Sequence, residues 1–275
     1  MSLSKAFKPR RVIGLGVVAA AAAFLTGCAG TGGPGRWQHL GYPDPSTESA
    51  LEMGQLWVGS WIAALAIGVL MWGLMGWCFV RYRRRHEREV PRQSTYNLPL
   101  EIMYTIVPFL IVGVLFAYTV KVQDSVLDDS QDPAVTIDVV GQKWSWTFNY
   151  SDDQVWDAGT VEEMPTLYLP VDQRVQFNLH SPDVIHSFWV PSFYMKMDVI
   201  PGRTNSFQVT PNVEGTFAGK CAELCGTYHS AMIFDVEIVS QAEFDQKMAE
   251  LEERGQTGQL MGSEGANAPA EREGR

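Results

Sequence analysis

Apolar positions along the chain come first in long unbroken runs and later in short alternations. Val12 to Leu25 is apolar but too short to span a bilayer, whereas Gly54 to Val80 and Ile102 to Val120 are longer and carry no charge. Each of these two is about the ~20 residues that an α-helix needs to cross the hydrocarbon core. As buried helices of a soluble protein they would find too little partner surface. The pattern predicts two transmembrane helices, 54–80 and 99–121, folded as a helical hairpin through a loop at 81–98. From Ala134 onward the period falls to two. V-T-I-D-V-V, W-S-W-T-F-N-Y, T-L-Y-L-P, R-V-Q-F-N-L, N-S-F-Q-V-T and I-F-D-V-E-I-V alternate or carry β-branched and aromatic residues. Pro133, Gly141, Asp152-Asp153, Pro182, Pro201-Gly202 and Gly215 mark turns between them. Short strands at this spacing predict an all-β sandwich over 122–240. Gln241 to Glu253 has helical composition, and the Gly, Ala, Glu and Pro content beyond Arg254 reads as a disordered tail, so 241–275 is a helix and tail.

Charge fixes the orientation. Lys5, Lys8, Arg10 and Arg11 stand directly before the short apolar run, the layout of a signal peptide over 1–27. That peptide ends in L-T-G-C, which resembles the lipobox of bacterial lipoproteins and makes Cys28 the candidate lipidated N-terminus of an outer segment, 28–53. The alternative is an ordinary leader with Cys28 there by chance. The loop at 81–98 carries Arg81, Arg83, Arg84, Arg85, Arg88 and Arg92 against Glu87 and Glu89, which places it in the cytoplasm and both chain ends on the outer face of a bacterial cell membrane. A basic cluster abutting a span is explained by topology and anionic lipid, so no nucleic-acid partner is expected. The formal net charge of −10 hides an asymmetry: from residue 121 there are 25 acidic and 10 basic side chains, a net of minus fifteen. An acidic outer domain is soluble, and it also speeds encounter with a basic partner.

The densest chemistry lies at C-x-E-x-C-x3-H-x2-M, from Cys221 to Met232. Two thiols, an imidazole and a thioether fall within twelve positions, and His186 in D-V-I-H-S-F-W-V-P supplies a second imidazole. Soft sulfur with imidazole selects copper, whereas magnesium and calcium want oxygen. Two bridging thiolates, two imidazoles, one thioether and one main-chain carbonyl would suffice for a pair of coppers sharing an electron. A C-x3-C pair outside the cell also reads as a disulfide, and a Cys/His set as structural zinc. Zinc, however, has no use for a thioether.

Two spans, a short cytoplasmic loop, an acidic outer β-domain, H-S-F-W-V-P and C-A-E-L-C-G-T-Y-H-S-A-M together resemble subunit 2 of haem-copper cytochrome c oxidase, over roughly Gly54 to Val239. The resemblance implies a cupredoxin-like Greek-key sandwich holding a dinuclear copper centre, CuA. Cys221 and Cys225 would bridge the coppers, His186 and Met232 complete one, and His229 with the main-chain carbonyl of Glu223 complete the other. It implies further that Trp144, in G-Q-K-W-S-W, is the electron-entry residue, with a sandwich-core tryptophan as the alternative. By spacing Trp146 points to the same face, while Lys143 and Ser145 depart from the family's usual Gln and Tyr. Asp183 and Asp198 resemble acidic docking positions or are solvated charges. The Glu223 carboxylate would reach a magnesium shared with subunit 1. Glu101, in L-E-I-M-Y-T-I-V-P, lies where the family has a proton-entry glutamate, and equally where a carboxylate stabilises a helix start. The implied partners are subunits 1 and 3, a soluble or membrane-bound cytochrome c donor and a cytochrome bc complex. Haem would sit only in the partner subunit, and the activity would be that of a proton-translocating cytochrome c oxidase. A quinol-oxidising relative would lack the copper ligands, and a membrane-anchored copper carrier would need one copper and no second span.

Overall fold

The computed structural model describes residues 38–84, 90 and 93–262. The signal peptide, Cys28, part of the arginine loop and the last residues of the tail lie outside them. The chain falls into two compact units, 1–41 and 42–275, and of the first only a short turn at 38–41 is described. The rest is in the second unit.

Helix α1 spans Glu48–Arg81 and α2 spans Leu98–Val126. The Thr47 side chain caps α1 by accepting from Ala50 N–H at 3.1 Å, and Asn97 caps α2 by accepting from Leu100 N–H at 3.3 Å. The uncharged runs lie within these helices, which extend past the expected limits by about one and a half turns at the outer end. Both helices are long and apolar enough to cross a membrane. Their large apolar side chains face outward, Phe79 being 81% exposed and Phe109 77%. Within the spans Ser60, Thr105 and Thr119 return their hydroxyls to the carbonyls of Leu56, Glu101 and Leu115, which keeps these three hydroxyls paired in an apolar surrounding.

The outer domain is two five-stranded sheets. One has the order β3-β2-β1-β5-β8, from β1 (Val135–Gln142), β2 (Ser145–Tyr150), β3 (Val155–Ala158), β5 (Val175–His180) and β8 (Asn205–Val209). The other has the order β4-β10-β9-β6-β7, from β4 (Thr166–Pro170), β6 (His186–Val190), β7 (Met195–Val199), β9 (Gly215–Cys221) and β10 (Ile233–Val239). Each mixes parallel and antiparallel pairs: β1 runs parallel to β5 and β10 parallel to β4, while the other neighbours are antiparallel. Alternation does what the sequence implied. In β5, Val175, Phe177 and Leu179 point inward and Gln176, Asn178 and His180 outward. An aromatic layer fills the space between the sheets, with Phe188 stacked on Phe234 at 5.1 Å and Trp146 edge-on to both.

Helix α3, Gln241–Glu253, matches its expected limits and buries Phe244, Met248 and Leu251 at helical spacing, Phe244 against Tyr150. At about 1.5–3 kcal/mol per buried side chain, that stripe decides where the helix lies. The chain beyond it differs from expectation. Residues 255–262 are not a disordered tail but run along the edge of the first sheet, where Thr257 bridges Val155 and Trp156 N–H donates to Gln256 O at 3.0 Å. Asn149, buried in β2, clasps Leu260 from both sides, accepting from its N–H at 2.6 Å and donating to its carbonyl at 3.2 Å. Composition carried no sign of this because the partners are more than a hundred positions away.

The chain before α1 is stitched to the sandwich: Ser46 N–H donates to Ser192 O at 3.0 Å, Glu48 N–H to Thr210 O at 3.1 Å, and Asn212 N–H to Ser46 O at 3.0 Å. Tyr194 lies over Gly54, where an added Cβ would sit 3.0 Å from its ring. The outer end of α1 and the sandwich are therefore held in register.

Candidate metal centre

The donor residues come from two structures. His186 opens β6 and Cys221 closes β9, so backbone ladders hold both. Cys225, His229 and Met232 lie on the connection from β9 to β10. That connection is closed by Cys221 N–H donating to Met232 O at 2.9 Å and contains a 3-10 turn at His229–Ala231. Gly226 lets it bend. Its φ is +127°, and a Cβ there would lie 3.0 Å from the Trp144 indole nitrogen.

The side chains converge. Cys221 Sγ is 3.9 Å from His186 Nδ1, 3.9 Å from Cys225 Sγ and 3.2 Å from the Glu223 carbonyl. Cys225 Sγ is 3.6 Å from His229 Nδ1 and 3.7 Å from Met232 Sδ. Tetrahedral coordination with bonds of about 2.0–2.3 Å has donor–donor edges of about 3.3–3.8 Å, so these spacings fit shared metal ions. They do not fit a disulfide, whose sulfurs are about 2.0 Å apart, and both thiols are free and buried. The buried thioether of Met232, turned onto Cys225, favours a soft metal over structural zinc. The residues present therefore fit a pair of copper ions.

Electrostatics separate the thiols. Burial alone would push Cys221 up, but hydrogen bonding with His186 and with the main chain at Glu223 and Ser187 outweighs it and holds it at about 6. Burial, then repulsion from Cys221, pushes Cys225 up to about 12. The pair loses one proton readily and keeps the second until a cation compensates it.

Asp183 sits behind His186. Its carboxylate is 2.9 Å from His186 Nε2 and accepts from the main-chain N–H groups of Lys143 and Val184 at 2.8 and 2.6 Å. Burial opposes its ionisation, yet His186 and the two N–H groups bring it down to about 2. An ionised Asp183 fixes the proton of His186 on Nε2 and turns Nδ1 toward Cys221. Burial likewise disfavours charge on His186, but Asp183 and Cys221 raise its pKa. Asp183 and Asp198 are both exposed, but only Asp183 also reaches a donor residue.

The two tryptophans differ. Trp146 is wholly buried, its indole N–H 3.4 Å from Met232 O, and is the core tryptophan. Trp144 is half-buried, donates to Cys225 O at 3.3 Å and meets Tyr228 edge-on at 5.1 Å. Both reach the donor loop, but only Trp144 also reaches the surface. Gly141 makes room beneath, where a Cβ would lie 3.0 Å from Trp146 and 3.4 Å from His186. The Glu223 side chain is exposed while its carbonyl faces inward. Glu101 lies far along the chain in the first turn of α2, where its carboxylate accepts from Asn97 N–H at 3.1 Å and closes the helix cap. Sequence reasoning missed the Asp183–His186 pair and the Gly226–Trp144 contact. The D-x-x-H spacing was the one available signal for the former.

A β-sandwich with a Cys/His/Met cluster at one end, carried on two membrane-length helices, defines a membrane-anchored cupredoxin-like domain on the outer face. The profile described as cytochrome c oxidase subunit II, periplasmic domain, matches residues 135–239, and that of its transmembrane domain matches 35–122. The chain is 46% identical to a probable cytochrome c oxidase subunit 2 of Streptomyces avermitilis, over 86% of this chain and 85% of that one. It is 35% identical to cytochrome c oxidase subunit 2 of Mycobacterium bovis, over 83% and 78%. The crystal structure of the periplasmic domain of subunit II of cytochrome oxidase of Bradyrhizobium japonicum is 28% identical, covers 45% of this chain and 97% of its own, and has a TM-score of 0.42. The chain belongs to the cytochrome c oxidase subunit II family.

Proposed function

We propose that this chain is the electron-accepting subunit of a terminal oxidase, taking one electron at a time from a cytochrome c and passing it to haem in subunit 1, where oxygen is reduced to water and protons are pumped. The observation that carries this reading is the convergence of Cys221, Cys225, His186, His229, Met232 and the Glu223 carbonyl beneath the half-buried Trp144. A copper pair held there supplies a one-electron carrier. Cys221 and Cys225 would hold it between them, His186 with Met232 and His229 with the Glu223 carbonyl would supply the remaining donors, and the sandwich core excludes water from beneath. Trp144 spans surface and donor loop, so it is the entry residue. Asp198 and the acidic face attract the donor, a soluble or membrane-bound cytochrome c.

The exposed Glu223 carboxylate is the candidate ligand for a magnesium ion shared with subunit 1. Subunit 3 and a cytochrome bc complex complete the assembly. Cys28 is the candidate lipidated N-terminus. For Glu101 the cap hydrogen bond favours a helix-start role, and proton entry is the second reading. Trp144→Phe in the membrane complex tests the function. Copper content should stay at the wild-type level while electron entry from reduced cytochrome c slows by at least about tenfold, as expected if one contact along the route is lost. An unchanged entry rate would place the entry point elsewhere.

A further inference from the structure

Between the outer ends of α1 and α2 lies a cavity of about 500 Å³ that the electron-transfer reading does not use. Its polarity is graded. Toward the outer ends stand Glu52, Gln55, Lys121 and Ser125, and deeper lie Leu56, Gly59, Val114, Leu115 and the Tyr118 ring. Glu52 and Gly59 are seven positions apart, as are Lys121 and Val114. Seven residues of helix rise about 10 Å, so on each helix the charge stands about 10 Å outward of the apolar floor. That depth is where a bilayer changes from headgroup to acyl chain. Trp57 and Trp61 stack on α1 at the same level, as interfacial tryptophans do.

The rim charges are opposite yet unspent. Among the described residues, Glu52 and Lys121 form no ion pair with each other and no side-chain hydrogen bond. A carboxylate and an ammonium held apart at a leaflet boundary above an apolar trough are complementary to a headgroup carrying both a phosphate and an ammonium. We propose that this cavity binds one zwitterionic phospholipid of the outer leaflet. Lys121 holds the phosphate, Glu52 the ammonium, and an acyl chain lies along Leu56, Val114 and Leu115. Gly59 keeps the floor open, since a Cβ added there meets nothing within 4 Å. The lipid fills space between the helices just below the point where α1 is stitched to the sandwich.

The test uses the intact membrane complex, reconstituted in nanodiscs of equal phosphatidylethanolamine and phosphatidylglycerol. The phospholipid retained after delipidating washes is counted by mass spectrometry. The wild type should retain phosphatidylethanolamine in preference to phosphatidylglycerol. Gly59→Leu, which fills the trough, should lose about one lipid per complex, while Gly68→Leu, equally open but outside the cavity, should lose none. Lys121→Gln should weaken retention about tenfold, the worth of one charge-assisted contact. Glu52→Gln should keep a lipid without the headgroup preference. Copper content serves as the folding control, distinguishing a failed lipid site from a failed metal centre. Identical retained lipid in Gly59→Leu and wild type, equal loss in Gly68→Leu, or preferential retention of phosphatidylglycerol by the wild type would overturn the proposal.

Discussion

His186 and Cys221 are held by strands, with Asp183 fixing the imidazole from behind. Cys225, His229 and Met232 are held by a connection that bends at one left-handed glycine and is pinned by Trp144. The strand-held thiol ionises near neutrality and the loop-held thiol does not. The difference teaches that backbone ladders fix one half of the site, whereas the other half rests on a single bent loop and the side chains that pin it.

The largest effect should come from removing a shared donor. Cys221→Ser or Cys225→Ser should abolish the two-copper spectrum, because each sulfur touches donors on both sides; metal analysis with electron paramagnetic resonance checks this. A spectrum surviving in Cys225→Ser would mean that the strand-held half suffices. Next comes the loop backbone. Gly226→Ala adds a Cβ against Trp144 at a φ that L-residues rarely adopt, a cost of about 1–3 kcal/mol. Copper affinity should fall by about tenfold or more, by competition with a chelator, and the Trp144 environment should change in fluorescence. An unchanged affinity would show that the loop repacks freely.

Asp183→Asn sharpens the comparison on the strand side. Losing the carboxylate frees the tautomer of His186, and such outer partners are worth about 10–100-fold in metal affinity. If Asp183 were only a docking charge, affinity would hold and the salt dependence of cytochrome c binding would flatten instead. The pH dependence of copper binding separates the two thiols. Binding releases protons, so affinity rises with pH. Toward about 12 one thiol proton is displaced, giving about tenfold per pH unit; nearer neutrality the raised His186 adds a second, and below about 6 the slope steepens again as Cys221 also protonates. A flat profile would mean that both thiols are ionised beforehand. The smallest effect is Met232→Leu, similar in volume, which should keep both coppers and shift the reduction potential.

The loop-held half was the more legible in sequence. Its donors Cys225, His229 and Met232 lie within eight consecutive positions, where residue type and spacing suffice, while His186 was recoverable because H-S-F-W-V-P stands out. What fixes the strand-held half was not legible. Asp183 reads as a surface acid until folding brings it against His186 and the Lys143 amide. Of the sandwich, the long alternating strands were evident. Val155–Ala158 is too short to alternate, Gly215–Cys221 is broken by glycines, and Met195–Val199 is only partly buried at an edge, so each lacked the signal that burial imposes. The ordered strap at 255–262 depends on Asn149, a contact no local pattern encodes.

Copper stoichiometry and electron sharing in the full-length wild-type chain test the central claim most directly. Two coppers per chain, with one unpaired electron delocalised over both in electron paramagnetic resonance, is the result this geometry predicts. A single copper, zinc in its place, or a Cys221–Cys225 disulfide in the native protein would contradict it.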